Sequence, residues 1–314
     1  MSRSRSVSAV VVTFRSERFI VDCLASMLAQ TVPFAEIIVV DNASPDQSAD
    51  LVERLFERLR LIRLPWNTGF CHANNVGLRQ TRGDFVLFAN PDTVMEPDYL
   101  EKALGGFEPG DRIGMVSGKL LRFDRRTIDS AGQILTIGRR IQDRGYGQPD
   151  TGQYDQPAEI DSVCGAMALY RRSMIDEISA GGELFDEDFF SFWEDMDVGW
   201  RARRSGWKAV YVPAAVAYHF RGGSQDAHGL WSNFIRMSGR SPEIRYHIVK
   251  NQWLMVIKNE SICGFLCAFP FLLTRNSIIL LYIILTCPSV LWMLLTRTGF
   301  FRRALRKRGD ILKA

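Results

Sequence analysis

Residues 188–224 read DFFSFWEDMDVGWRARRSGWKAVYVPAAVAYHFRGGS, a stretch whose side chains could do proton chemistry. Glu194, Asp195 and Asp197 place three carboxylates within four positions, where apolar helical periodicity begins. Burial and a like-charged neighbour both raise a carboxyl's proton affinity. Carboxylates set beside the aromatic rings of Phe192, Trp193 and Trp200 therefore suit a general base. The bland reading of the same residues is an amphipathic helix whose solvated acidic first turn favours its macrodipole. Downstream, a strand-like run over residues 209–212 leads, after a proline, to a lone His219.

These groups need elements to hold them. Residues 7–14 form a continuous β-branched run, the mark of a strand buried on both faces. Over residues 17–30, Phe19, Ile20, Cys23, Leu24, Met27 and Leu28 share one helical face. The alternation repeats, with strands expected at 37–40, 61–64 and 85–89 and helices at 48–60 and 70–80. It predicts a parallel, doubly wound α/β sheet whose ligands belong at the carboxyl ends of the strands. Those ends carry Thr13, then Asp41 with Asn42, then Asn90-Pro91-Asp92. An acidic residue after the second strand can hydrogen-bond a ribose or base, yet the first turn lacks GxGxxG, which argues against a dinucleotide-dependent dehydrogenase. Asp92, beside a proline-fixed turn, suits a divalent ion bridging a diphosphate, although NPDT is also good turn and cap chemistry.

Length and composition bound the rest. A chain of 314 residues, 46% hydrophobic and 24% charged, holds one large or two ordinary globular domains. The net charge of +4 is unevenly placed, with six Arg or Lys in residues 297–308. No zinc-finger, RNP or helix-turn-helix signature accompanies them, so no nucleic-acid partner is expected and the tail reads as a membrane-surface patch. Six scattered cysteines without a CxxC pair read as buried thiols of a reducing compartment, and no signal peptide is expected.

Six segments in order, VVVTF (10–14), VVDNAS (39–44), NTGFCHANN (67–75), FANPDT (88–93), CGAMALYRR (164–172) and FFSFWEDMDVGWRARRSGW (189–207), resemble family 2 glycosyltransferases. The nearest branch is the bacterial rhamnosyltransferases and their galactofuranosyltransferase relatives, and the likeness covers about residues 7–260. It implies a GT-A fold within residues 1–260, divided into a donor-nucleotide half (about 7–110) and an acceptor half (111–260). It places Thr13, Asp41 and Asn42 at the nucleobase and ribose, and Asn67, Gly69, Asn74 and Asn90 around the donor. Asp92 and His219 would hold a divalent metal, Mg or Mn. The family's Asp-x-Asp is here Asn-Pro-Asp, so Asp92 alone supplies a carboxylate. Asp195, beside Glu194, would be the base of an inverting transfer, with Trp193 against the acceptor. Arg221 and Gly222-Gly223 could add a cation and close backbone approach to the donor phosphates.

Residues 120–160 are polar and glycine-rich with poor periodicity, which predicts a long excursion over the cleft. Within it Arg139, Arg140, Arg144 and Tyr146 could meet an anionic acceptor. Residues 261–314 form a separate apolar and basic segment. An uncharged run at 262–273 is too short to span hydrocarbon, and a second run at 278–295 has about the length needed. The basic tail and a cytosolic substrate together favour helices lying in the cytosolic leaflet, with residues 297–308 on anionic headgroups. A helix pair at a homodimer interface is the alternative. Leaflet attachment points to a polyprenyl-diphosphate-linked glycan as acceptor, and the branch resemblance to dTDP-rhamnose as donor, ahead of a UDP-sugar such as UDP-galactofuranose. A non-catalytic, membrane-docked scaffold that retains a sugar-nucleotide fold is the other reading.

Overall fold

Four parallel strands make the centre of the computed structural model, which describes residues 5–179, 182–221 and 239–311. β1 (Val7–Thr13) lies between β4 (Phe85–Ala89) and β2 (Glu36–Asp41), with β3 (Arg60–Arg63) outermost, all parallel. β1 and β4 are buried along their whole length, which is why they read as unbroken apolar runs. Helices α1 (Ile20–Leu28), α2 (Ser48–Leu55) and α3 (Phe70–Leu78) connect these strands.

Beyond β4 the sheet becomes mixed. β5 (Thr93–Met95) and α4 (Tyr99–Gly105) lead to β6 (Ile113–Arg122), followed by short strands β7 (Ile128–Ser130), β8 (Gln133–Leu135), β9 (Ile141–Asp143) and β10 (Ala158–Ile160). β11 (Met167–Arg171) then runs antiparallel between β4 and β6. After α5 (Arg172–Ile178) and α6 (Glu194–Arg204), β12 (Lys208–His219) lies parallel to β6 and antiparallel to β5. The ten-stranded order is β10-β12-β6-β11-β4-β1-β2-β3, with β5 on β12 and β7 on β6. The doubly wound alternation thus holds through β4 only. β12 is what matters for chemistry, because pairing His219 with Thr93 brings residue 219 beside the turn that carries Asp92.

The stretch expected as an irregular excursion instead contains β7, the β8–β9 hairpin and β10. Strands of three residues are too short to show a period of two.

The C-terminal segment also divides differently. α7 (Pro242–Asn259) is followed by α8 (Ile262–Thr286), α9 (Pro288–Thr296) and α10 (Gly299–Ile311). The polar residues 274–277 do not break α8, because Asn276 faces α7 and accepts from Trp253 Nε1 at 3.3 Å. The break falls at Cys287, where Pro288 opens α9. By length and composition α8 could cross a membrane. It lies instead along the domain: Ala268 and Leu272 join the main core, and Ile283 packs with Tyr246 and Val249 of α7. Its opposite face exposes Ile262, Leu266, Phe269, Leu273, Leu281 and Leu285. Cys263 and Cys267 are exposed there too, whereas the other four cysteines are buried as expected.

Part of the basic tail is taken up by carboxylates of the domain, while Arg302 and Arg306 stay exposed. Arg297 pairs with Glu243, Arg303 with Asp188, and Lys307 with both Asp186 and Asp188. Asp186 and Asp188 are largely buried and need counter-charges that solvent cannot supply. The same need explains Lys258, whose side chain is 2% exposed and reaches Asp197 at 2.9 Å and Asp186 at 2.5 Å. Asp197 also accepts from Arg201 Nε at 2.9 Å and Asn259 Nδ2 at 2.8 Å. Removing one partner of such a cluster strands the others' charge. Lys258→Ala is expected to cost about 3 kcal/mol or more, read as a lower denaturant midpoint at unchanged slope; a shift under about 1 kcal/mol would contradict the role given to this lysine.

Candidate active site

α6 begins at an unusual turn. Phe190, Phe192 and Trp193 have φ of 67°, 72° and 74°, a left-handed backbone that bulky residues adopt only when held there. α7 holds it: Asn251 Nδ2 donates to the carbonyls of Phe189, Ser191 and Phe192 at 2.9, 2.7 and 2.8 Å. The His247 ring stacks on Phe190 with centroids 4.7 Å apart. From the other side comes Gly69, with φ of 86°, where a Cβ would lie 2.5 Å from the Phe190 ring. Only glycine fits at 69, both for its backbone and for this approach.

The turn delivers Trp193, Glu194 and Asp195 to a cavity of about 610 Å³, which Asn90, His219 and Arg221 also line. Asp195 Oδ2 accepts from Gln133 Nε2 at 2.8 Å and the Gly165 N–H at 3.1 Å, and Oδ1 from the Met196 N–H at 2.8 Å. Burial raises its proton affinity against these hydrogen bonds. Glu194 is more strongly affected: burial, then the charge of Asp195, push it up to about 8. Its buried Oε2 has no hydrogen-bond partner among the described residues. The pair therefore keeps a proton near neutrality, and it sits on Glu194 because Asp195 has the donors that stabilise an anion. Asp197, third of the cluster, faces the other way. Despite burial, Lys258 and Arg201 hold it below the usual carboxylate range, so its role is structural.

At the end of β12, His219 Nδ1 lies 2.8 Å from Asp129 Oδ2, and Nε2 lies 3.3 Å from Asp92 Oδ1. Burial opposes charge on the ring, but the two carboxylates prevail and raise it to about 9. An imidazole oriented through one nitrogen by a carboxylate, with the other beside a second carboxylate, is a donor set suited to a divalent cation. Among the described residues no group of three His, Cys, Asp or Glu forms a complete cage, so a metal held here would need oxygens from a ligand. Arg221 lines the cavity, but its charge meets Asp129 and Asp143, each at 2.8 Å. Gly222 and Gly223 lie outside the described residues.

The remaining expected residues divide into two kinds. Thr13 and Asp41 are register partners at the ends of β1 and β2, and Thr13 Oγ1 and Asp41 Oδ1 are buried without a partner among the described residues. Such atoms mark places that a polar ligand would satisfy. Asn42 and Asn74 act on the chain itself. Asn42 donates to Asn67 Oδ1 at 3.1 Å and the Gly69 carbonyl at 3.2 Å and accepts from the Thr68 N–H at 2.8 Å, while Asn74 donates to the Phe70 carbonyl at 2.9 Å. Asn67 also accepts from the Gly69 N–H at 3.0 Å, so it shapes the same loop. A second cavity of about 670 Å³ lies past the ends of β1 and β2, lined by Arg15, Asp46 and Phe220 among others. Phe220 thus lines one cavity while its neighbours His219 and Arg221 line the other. Gln133, Asp129, Asp143 and Asn251 are additions from the structure; for the first three the available signal is the density of polar residues in 120–160, and for Asn251 there is none.

The family model for glycosyl transferase family 2 matches residues 8–179. Over 234 residues, 68% of this chain and 75% of the relative, the protein is 27% identical to N-acetylglucosaminyl-diphospho-decaprenol L-rhamnosyltransferase of Mycobacterium tuberculosis. It is 22% identical over 240 residues to poly-beta-1,6-N-acetyl-D-glucosamine synthase of Staphylococcus aureus, covering 76% of this chain and 55% of that enzyme. Among solved structures, the mannosyltransferase PcManGT of Pyrobaculum calidifontis, in complex with GDP-Man and Mn2+, aligns with 99% of this chain and 86% of its own at a TM-score of 0.58 and 18% identity. S. aureus TarS 1–349 in complex with UDP covers 85% of this chain and 70% of its own, with a TM-score of 0.54 and 21% identity. These likenesses identify the mixed sheet with its flanking helices as a GT-A fold.

The Glu194 proton has a consequence for stability. On unfolding its carboxyl returns to the ordinary value of 4.5, so between about pH 4.5 and 8 the folded chain binds more protons than the unfolded one. Stability contributed by this group is complete below that window and is lost as pH rises through it. Glu194→Gln is expected to stabilise the protein increasingly from pH 5 to 8, by about 1 kcal/mol or more at the upper end. Denaturant titrations at several pH values check this, and a difference that does not grow with pH would contradict the assignment.

Proposed function

The chain belongs to glycosyl transferase family 2, and from that membership we propose that it moves a sugar, rhamnose by preference, from a nucleoside diphosphate to a hydroxyl of a lipid-linked glycan, with inversion. The observation that carries this reading is the meeting of Asp195 and His219, with Asp92 at its side, on one cavity. Residues 1–260 are taken as the catalytic domain, with the donor's nucleotide toward Thr13 and Asp41 and the acceptor toward Trp193. dTDP-rhamnose is favoured as donor because a relative 27% identical over 234 residues is a rhamnosyltransferase. A UDP-sugar is the second choice.

The chemistry follows from the proton distribution. Asp195, anionic and fixed by Gln133 and Gly165, accepts the proton of the acceptor hydroxyl as that oxygen bonds to the anomeric carbon. The bond from that carbon to the leaving diphosphate breaks on the opposite face, so configuration inverts without a covalent enzyme intermediate. Glu194, holding its proton, keeps a second negative charge away from the incoming oxygen. Asp92 and His219 would hold the divalent cation, Mg or Mn, whose chemistry is to stabilise charge on the departing diphosphate. Asp129 keeps the His219 ring turned so that Nε2 faces Asp92.

Membrane attachment belongs to the same proposal. The exposed apolar face of α8 is suited to the cytosolic leaflet, where a polyprenyl-diphosphate-linked acceptor would already reside. Because the other face packs along the domain, the helix would lie in the leaflet and not cross it.

Two measurements test the assignments. Asp195→Asn should lower transfer by about 10²–10⁴-fold, the range for a lost general base, while nucleotide-sugar affinity changes little; undiminished transfer would mean that another group takes the proton. Asp92→Asn should weaken Mn2+ binding by about tenfold or more, followed by electron paramagnetic resonance in the presence of a nucleoside diphosphate. Unchanged Mn2+ affinity would remove Asp92 from the metal site.

A further inference from the structure

Two guanidiniums line the cavity that holds Asp195 without a carboxylate among the described residues to answer either of them. Arg140 follows the turn of the β8–β9 hairpin, and Arg275 comes from the middle of α8, where it is the one charged residue in 25. Nearby arginines are treated differently: Arg139 reaches Glu260, Arg203 reaches Asp161, and Arg221 reaches Asp129 and Asp143. Arg140 and Arg275 have no such partner among the described residues. What holds Arg275 is the neutral amide of Gln252, whose oxygen, once the amide is turned, accepts from Nε at 2.8 Å and also from Nη2. Burial, and then the charge of Arg140, work against the charge on Arg275 and push it down to about 10. A partly desolvated guanidinium with a second, exposed one beside it is costly unless an anion joins them.

The surroundings indicate which anion. Ile248 and Ile279 line the same cavity, so the charged pair borders an apolar wall. Arg275 stands on the helix whose far face is the exposed apolar surface, and Ile279 is one turn further along it. A lone arginine on such a helix, turned toward a cavity, marks a ligand path. Guanidinium forks match phosphate oxygens two at a time, and a diphosphate has enough oxygens for both. We propose that Arg140 and Arg275 form the subsite for the diphosphate of the lipid-linked acceptor, with its prenyl chain leaving along Ile279 and α8 and its sugar directed toward Asp195. This rests on the glycosyl-transfer reading above and adds to it the groups that select a lipid diphosphate over a free sugar.

The test uses the full chain in detergent micelles and calorimetric titration with geranylgeranyl diphosphate, with geranylgeraniol and dTDP plus Mn2+ titrated in parallel. Arg140→Ala and Arg275→Gln are each expected to weaken geranylgeranyl diphosphate by about tenfold, the loss typical of one charge-assisted contact. Binding of geranylgeraniol and dTDP should change less than twofold. Arg275→Lys, which keeps the charge and loses the fork, should recover only part of the affinity. Arg140 is exposed on a turn, so its variant remains informative even if Arg275→Gln folds poorly. Equal affinity of wild type and both variants for geranylgeranyl diphosphate would overturn the proposal. So would a matching loss for dTDP, which would assign the pair to the donor, and so would a wild type that binds dTDP but no prenyl diphosphate. A wild type that binds neither dTDP nor UDP, titrated the same way with Mn2+, would instead count against the glycosyl-transfer reading and, with it, this one.

Discussion

The site depends on keeping residues 190–193 in a backbone shape they would not choose. Phe190, Phe192 and Trp193 all have positive φ, each costing roughly 1–3 kcal/mol. That cost is met by groups far away in sequence: the amide of Asn251, the ring of His247 and the close approach of Gly69. Near its end α7 is itself anchored, by Lys258 set between Asp186 and Asp197. A buried ion pair is weak evidence for stability in general, but here it ties the helix that braces the turn to the segment just before that turn.

The three carboxylates of α6 show how one short segment supports three chemistries. Asp197 is surrounded by cations and remains charged. Asp195 is given N–H donors and remains an anion open to the cavity. Glu194 has no cation beside it and an Oε2 without a partner among the described residues, and burial raises its proton affinity most. Spacing along the helix separates them: residues 195 and 197 point to different sides, and the sheet lies against one and α7 against the other. Asp129 plays a similar organising part for β12, since its two oxygens serve His219 and Arg221 at once.

The early strands were legible because double-sided burial demands long β-branched runs, and because polar residues then collect at their carboxyl ends. Glu194, Asp195 and His219 stood out by residue type and by family resemblance. Gln133, Asp129 and Asn251 did not. The first two lie on or beside three-residue strands, which carry no periodicity, and Asn251 works by donating to main-chain carbonyls, which leaves no trace in local pattern. The polar gap at 274–277 was misleading for a related reason. It looks like a break in an apolar run, whereas it is the part of α8 that meets Gln252 and Trp253. The pairing of Arg303 and Lys307 was hidden as well, because the sequence alone does not reveal that Asp186 and Asp188 are buried.

The pairing of α10 with that acidic turn bears on how this protein can be handled. Trimming the apolar end is the common route to a more tractable sample, and ending the chain before Gly299 would also discard Arg303 and Lys307. Asp186 and Asp188 would lose partners only four and two residues ahead of the strained segment, and the lesion would surface as poor catalysis rather than poor solubility. A shortened form that stays folded but inactive would therefore say little about whether lipid is required for turnover.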